Sequence, residues 1–181
     1  MLTNGESRQL AELLKKMGQH VAEVGRVPLQ VFNALWENTI MGGVDLSVIR
    51  PGPTPEILLA LRPAGDPFAG LWHIPGTRVL PGDDAFSAMK KRVMQWDLGM
   101  VLSRQPEFLL QRDIMKGPQL TRDTSPVGQE FYRAYRYVLG DDDPEIKTSE
   151  TMKFFPLHSI PANFLTYQMP TVELLCDIHN A

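Results

Sequence analysis

The 181-residue sequence contains one cysteine, Cys176. That excludes an internal disulfide framework and leads to the expectation of a reducing, cytoplasmic setting. Charge of either sign is not in excess: 18 Lys and Arg stand against 21 Asp and Glu, a net charge of −3. Without a basic stripe, a nucleic-acid polymer is not expected as the main partner. No apolar run is long enough to span a membrane. The first residues, MLTNGESRQLAELLKKMG, interrupt their apolar periodicity with Glu, Arg and Lys, so they read as neither a signal peptide nor a span. Internal repeats and low-complexity segments are also missing. What is present is 43% hydrophobic and 22% charged residues. That composition describes an ordinary globular chain with room for one core and a small extension.

Leu10, Leu13, Leu14, Met17, Val21 and Val24 recur at three-and-four spacing, which predicts an amphipathic helix over 6–25. A second helix is predicted from Pro28, with Leu29, Phe32, Leu35 and Trp36 on one face. From Gly43 the pattern changes. VDLSVIRPG and PEILLALRP predict a hairpin, and GLWHIPG predicts a third strand ending in a turn. DDAFSAMKKRVMQWDL predicts a helix that Asp84 caps and Gly99 ends. PEFLLQRD, GQEFYRAYRYVLG and MKFFPL predict three more strands. Asp141, Asp142 and Asp143 form a solvated loop, and MPTVELLCDIHN closes the chain as a helix. This order gives a mixed α/β (α+β) domain over 43–181, preceded by an N-terminal helical extension over 1–42.

The stretch PGTRVLPGDDAFSAMKKRVMQWDLGM resembles the box of the Nudix family, G-x5-E-x7-R-E-U-x-E-E-x-G-U, where U is bulky and apolar. The flanks agree: LLALRPAGDPFAGLWHIPG resembles the strand entering the box, and MKFFPLHSIP the later strand and turn. The likeness covers residues 43–178. Counted from the helix end, Leu98-Gly99-Met100 takes the x-G-U place. The glutamate positions then fall on Val93, Trp96 and Asp97, and the arginine on Arg92. Counted from the turn, Thr77 takes the first glycine, Asp83 a glutamate and Lys91 the arginine. The counts differ by one residue, most simply absorbed at Asp83-Asp84. The helix-end register keeps a carboxylate and is preferred.

The resemblance implies a Nudix-type α/β/α sandwich with a mixed sheet. It also implies a hydrolase acting on a nucleoside diphosphate linked to another group, such as a nucleotide sugar, with Mg²⁺ or Mn²⁺ as cofactor. Carboxylates at helical positions i, i+3 and i+4 converge on one ion. The metal ligands implied here are Asp97 and the Gly76 carbonyl. Glu150 and Arg92 take the catalytic roles, and Arg62 and Arg78 bind substrate. Loss of the first two glutamates is similar to the GDP-mannose mannosyl hydrolase branch, although the loop histidine of that branch has no counterpart here. Val93 and Trp96 in ligand positions support an alternative, an inactive Nudix-fold ligand-binding or regulatory module. His73 and His158 stand alone and read as ordinary side chains. The expected partner is a small nucleotide-like molecule, and the N-terminal helices are expected to support a homodimer.

Overall fold

The computed structural model describes residues 3–24, 30–31, 34, 40–80, 83–99 and 103–180, with side chains throughout except at 21–24, 40, 92 and 95–97. The chain divides into two compact units, Met1–Asn38 and Thr39–Ala181. The first contains α1 (Asn4–Val24). Its start is a reciprocal cap. The Glu6 N–H donates to Thr3 Oγ1 at 3.3 Å, and the Thr3 N–H donates to Glu6 Oε2 at 2.7 Å. Two otherwise unpaired N–H groups are thereby satisfied. Leu10, Leu13 and Leu14 are exposed along this helix. The helix predicted from Pro28 falls largely outside the described residues.

The second unit is built on a mixed sheet. Its strands are β1 (Ile40–Arg50), β2 (Glu56–Leu61), β3 (Trp72–His73), β4 (Gly76–Arg78), β5 (Glu107–Lys116), β6 (Thr124–Ser125), β7 (Gln129–Val138) and β8 (Met152–Pro156). The order is β3-β2-β1-β7-β5-β6, with β4 on β1 and β8 on β2. The hairpin of β1 and β2 forms as the Pro-Gly signals require, but its antiparallel register is recorded at only two pairs, Ile49 with Ile57 and Arg50 with Glu56. Beyond them β4 lies on β1 and β3 on β2. The stretch predicted as one strand, GLWHIPG, is therefore two short strands that cross from β2 to β1 through Ile74 and Pro75. Proline cannot donate to a ladder and suits the crossing. The parallel pairing of β1 with β7 runs from Ile40 to Ile49.

Alternation along β1 feeds two cores. Val44, Leu46 and Val48 pack with Ala88, Met89, Val93 and Met94 of the helix after β4. Ile49 joins Ile57, Leu59, Ile74, Val172 and Leu175 on the other face, beneath α3 (Met169–Asn180). Complete burial of a side chain such as Val93 or Met94 is worth about 1.5–3 kcal/mol. The acidic loop is only partly solvated: Asp143 accepts hydrogen bonds from Ser103 Oγ, the Tyr137 hydroxyl and the Gly140 N–H.

The box helix departs from the sequence expectation. It begins as α2 (Ala85–Ala88), where Asp84 Oδ1 accepts the Ser87 N–H at 2.7 Å, and continues as a π-helix over Met89–Asp97. The Leu98 N–H donates to the Val93 carbonyl, five residues back, at 3.0 Å. Gly99, with φ of 63°, takes the left-handed position that ends the helix. Ala88, Val93 and Leu98 are all buried, as are Met89 and Met94. Five-residue spacing brings such positions to one side of a π-helix, not of an α-helix. The winding over this stretch is wider than that of an α-helix. Positions 93, 96 and 97 thus lie on a π-helical backbone.

Candidate functional site

The crossing from β3 to β4 opens a cleft of about 640 Å³ lined by Arg62, His73, Pro75, Gly76, Ser149 and Thr151, among others. This lies within the usual range of small-molecule sites. The turn bearing Ser149 and Thr151 is tied to β2, since the Leu61 N–H donates to the Thr151 carbonyl at 2.8 Å.

Gly76 is required at its place. A Cβ there would lie 2.2 Å from Asp45 Oδ1 and 2.8 Å from the Val44 carbonyl oxygen. The ladder with β1 also fixes where its carbonyl points. Leu46 donates to the Pro75 carbonyl and Val79 to the Gly42 carbonyl, while Asp45 lies opposite Gly76. In an antiparallel ladder, bonded and non-bonded pairs alternate. Gly76 falls in a non-bonded pair, so its carbonyl is turned away from β1.

Asp45 behind this glycine is a buried acid. Gln168, at the end of the 3₁₀ turn Thr166–Gln168, donates from Nε2 to Asp45 Oδ2 at 2.7 Å. Gln168 Oε1 accepts the Ile74 N–H at 2.9 Å, so one side chain ties β1 to the crossing. Burial pushes the Asp45 carboxyl up to about 7, against the opposing hydrogen bond from Gln168. His73 shows the opposite sign of the same effect: burial, aided by the Arg62 cation, lowers its ring to about 3.

The residues expected from the sequence are distributed as follows. Gly76 and Arg62 line the cleft. Arg62 Nη1 bonds Asp66 Oδ2 at 3.2 Å, and Asp66 Oδ1 accepts the Phe68 N–H at 2.8 Å, which braces the loop after β2. Glu150 is exposed between the two lining residues Ser149 and Thr151. Arg78 is ion-paired with Glu130, which is only 3% exposed. Val93 is fully buried in the core and supplies no ligand. The side chains of Arg92, Trp96 and Asp97 lie outside the described residues.

Asp45, Gln168 and His73 were not picked out by motif reasoning. Asp45 left a trace in VDLSV: a single acid at an inward position of an otherwise apolar strand. Gln168 left none, because its role depends on elements distant in sequence, and His73 left no sign of the burial that sets its state.

Among the described residues no group of three or more His, Cys, Asp or Glu could hold an ion. Mg²⁺ nevertheless keeps several waters and needs only one or two carboxylates beside substrate phosphates. The outward Gly76 carbonyl is a hard oxygen donor of the kind such an ion takes.

No family model and no curated protein matches the sequence. Solved structures do match. A MutT NUDIX hydrolase from Burkholderia pseudomallei shares 20% identity, covers 76% of this chain and 99% of its own, and has a TM-score of 0.60. The NUDIX domain of Shewanella oneidensis NrtR, complexed with ADP ribose, shares 17% identity over 78% of this chain and 90% of its own, with a TM-score of 0.60. The C. elegans Ap4A hydrolase shares 16% identity over 79% of this chain and 100% of its own, with a TM-score of 0.53. The chain has the Nudix fold, a mixed sheet between helices.

Proposed function

We propose that this chain is a hydrolase of a nucleoside diphosphate linked to another group, working at the cleft beside Gly76. The observation that carries the reading is the Gly76 carbonyl, turned out of the β1 ladder in a stretch that resembles the Nudix box. Asp97 and the Gly76 carbonyl are the residues that would hold Mg²⁺ or Mn²⁺. Such an ion, when bound, supplies charge neutralisation for the diphosphate. Glu150 accepts the proton of the attacking water, and the new bond forms as the leaving diphosphate oxygen takes the electron pair of the old one. Arg92 meets the phosphate oxygens, and Arg62 holds the substrate in the cleft. Arg78, already neutralised by Glu130, contributes by fixing β4 to β7.

Replacing Glu150 by glutamine keeps the shape and removes the base. The expected result is a kcat lowered about 10²–10⁴-fold with KM little changed. An unchanged kcat would remove Glu150 from the mechanism.

One observation favours a second reading, a ligand-binding module without chemistry: Val93, in a glutamate position, is sealed in the core. That reading expects nucleotide to raise the melting temperature equally with and without chelator, with no product formed.

We also propose that α1 pairs with α1 of a second copy. Leu10 and Leu14 are exposed, and Met17 continues their alternating four-and-three spacing. Sedimentation should show a dimer that Leu14→Glu dissociates; a wild-type monomer at high concentration would exclude the pairing.

A further inference from the structure

His73 and Arg62 bring unpaired hydrogen-bonding groups of opposite kind to one cleft. They are neighbours on paired strands: Ala60 of β2 lies opposite His73, and the Arg62 N–H continues that pairing by donating to the Leu71 carbonyl at 3.0 Å. His73 Nδ1 is 2.8 Å from the Ile74 carbonyl oxygen. A carbonyl only accepts, so Nδ1 carries the proton. Burial and the adjacent Arg62 cation keep the ring neutral. Nε2 is therefore an acceptor, and among the described residues no protein donor meets it.

Arg62 presents the complement. Asp66 occupies Nη1 and Nε is sealed from the cleft, which leaves Nη2 as the donor without an acceptor among the described residues. A ligand group that offers an acceptor to Arg62 and an N–H to His73 would satisfy both. A phosphate offers acceptors only, and its oxygens are repelled by the Nε2 lone pair. The planar edge of a nucleobase carries an N–H beside a carbonyl oxygen or ring nitrogen.

We propose that this cleft holds the base of the nucleotide, with His73 as a specificity-determining residue that accepts the N–H of the base edge while Arg62 donates to the neighbouring acceptor. The inference rests on the nucleotide reading above and adds which part of the ligand lies here. It also separates the cleft into a base end at His73 and a phosphate end at Gly76.

The test is calorimetric titration of the full chain with ADP, CDP, GDP and UDP, followed by the tightest of them methylated on the donor nitrogen of its base until no N–H remains there, twice for an amino group. Wild type should lose about 10-fold or more in affinity on methylation, the effect of one hydrogen bond with its acceptor left unpaired. His73→Phe should bind the parent nucleotide about as weakly as wild type binds the methylated form, and should not distinguish the two. His73→Gln, which restores an acceptor, should distinguish them again; circular dichroism checks that both variants fold. Equal wild-type affinity for parent and methylated nucleotide overturns the assignment and leaves the hydrolase reading standing. Failure of all four nucleotides to bind overturns both.

Discussion

Gly76→Ala is expected to destabilise the chain by about 3 kcal/mol or more, since the new methyl has nowhere to go. It would meet Asp45 Oδ1 at 2.2 Å and the Val44 carbonyl oxygen at 2.8 Å. The first is a buried carboxyl held by Gln168, and the second belongs to the central strand, so neither yields cheaply. At this chain length the loss corresponds to a fall in melting temperature of roughly 6–12 °C. Asp45→Ala in the same chain should recover part of the loss, because one of the two clashes disappears while the Val44 carbonyl remains. Denaturant titration of both single variants and the double variant measures that coupling. Strict additivity would mean that the two residues do not press on one another. Position 76 would then be set by something other than Asp45.

The second large effect is in the pH dependence of stability. Asp45 titrates near 7 in the folded chain and near 3.8 unfolded, so the native state holds the extra proton between those values. Its contribution is complete below about pH 4 and is lost as pH rises toward 7, at up to ~1.4 kcal/mol per pH unit. His73 titrates near 3 folded and near 6.5 unfolded, so here the unfolded chain binds the extra proton. That contribution is complete above about pH 6.5 and is lost as pH falls toward 3, with the same limiting slope of ~1.4 kcal/mol per pH unit. Between about pH 4 and 6.5 the two slopes oppose and nearly cancel. Asp45→Asn keeps an acceptor for Gln168 and removes one titration. Its stability should rise from pH 4.5 to 6 by roughly 2 kcal/mol. His73→Gln should fall by a similar amount over the same interval. Urea unfolding in the presence of a chelator reads both slopes. Parallel profiles in the two variants would show that the buried pair does not set the balance.

Much of the fold was legible because local signals and burial agreed. Pro-Gly turns bound the β1–β2 hairpin, Asp84 caps α2 and Gly99 ends the box helix. The parallel pairing of β1 with β7 was not legible, because it joins segments some ninety residues apart without a turn to announce it. The split of GLWHIPG into β3 and β4 was hidden for a related reason. Each half is short, and only the divergence of β1 and β2 gives them different partners. The π winding did have a signal. Ala88-Met89, Val93-Met94 and Leu98 repeat every five residues, a spacing that an α-helical reading of the same letters passes over.

The site was less legible than the fold. Motif spacing leads to Gly76 and, through its flanks, to Arg62, both at the cleft. It assigns Arg78 to substrate without foreseeing Glu130, which arrives from β7. It passes over His73 as a lone histidine, because the burial and the Arg62 cation that set its state arise only on folding.

Product analysis is the decisive test of the proposed hydrolase activity. Wild type and Asp97→Ala would be incubated with a panel of nucleoside-diphosphate sugars, ADP-ribose and dinucleoside polyphosphates, with Mg²⁺ and with chelator. If the proposal holds, wild type with Mg²⁺ gives nucleotide product, and Asp97→Ala or chelator gives almost none. Equal product from Asp97→Ala, or no product from wild type with any member of the panel, would contradict it.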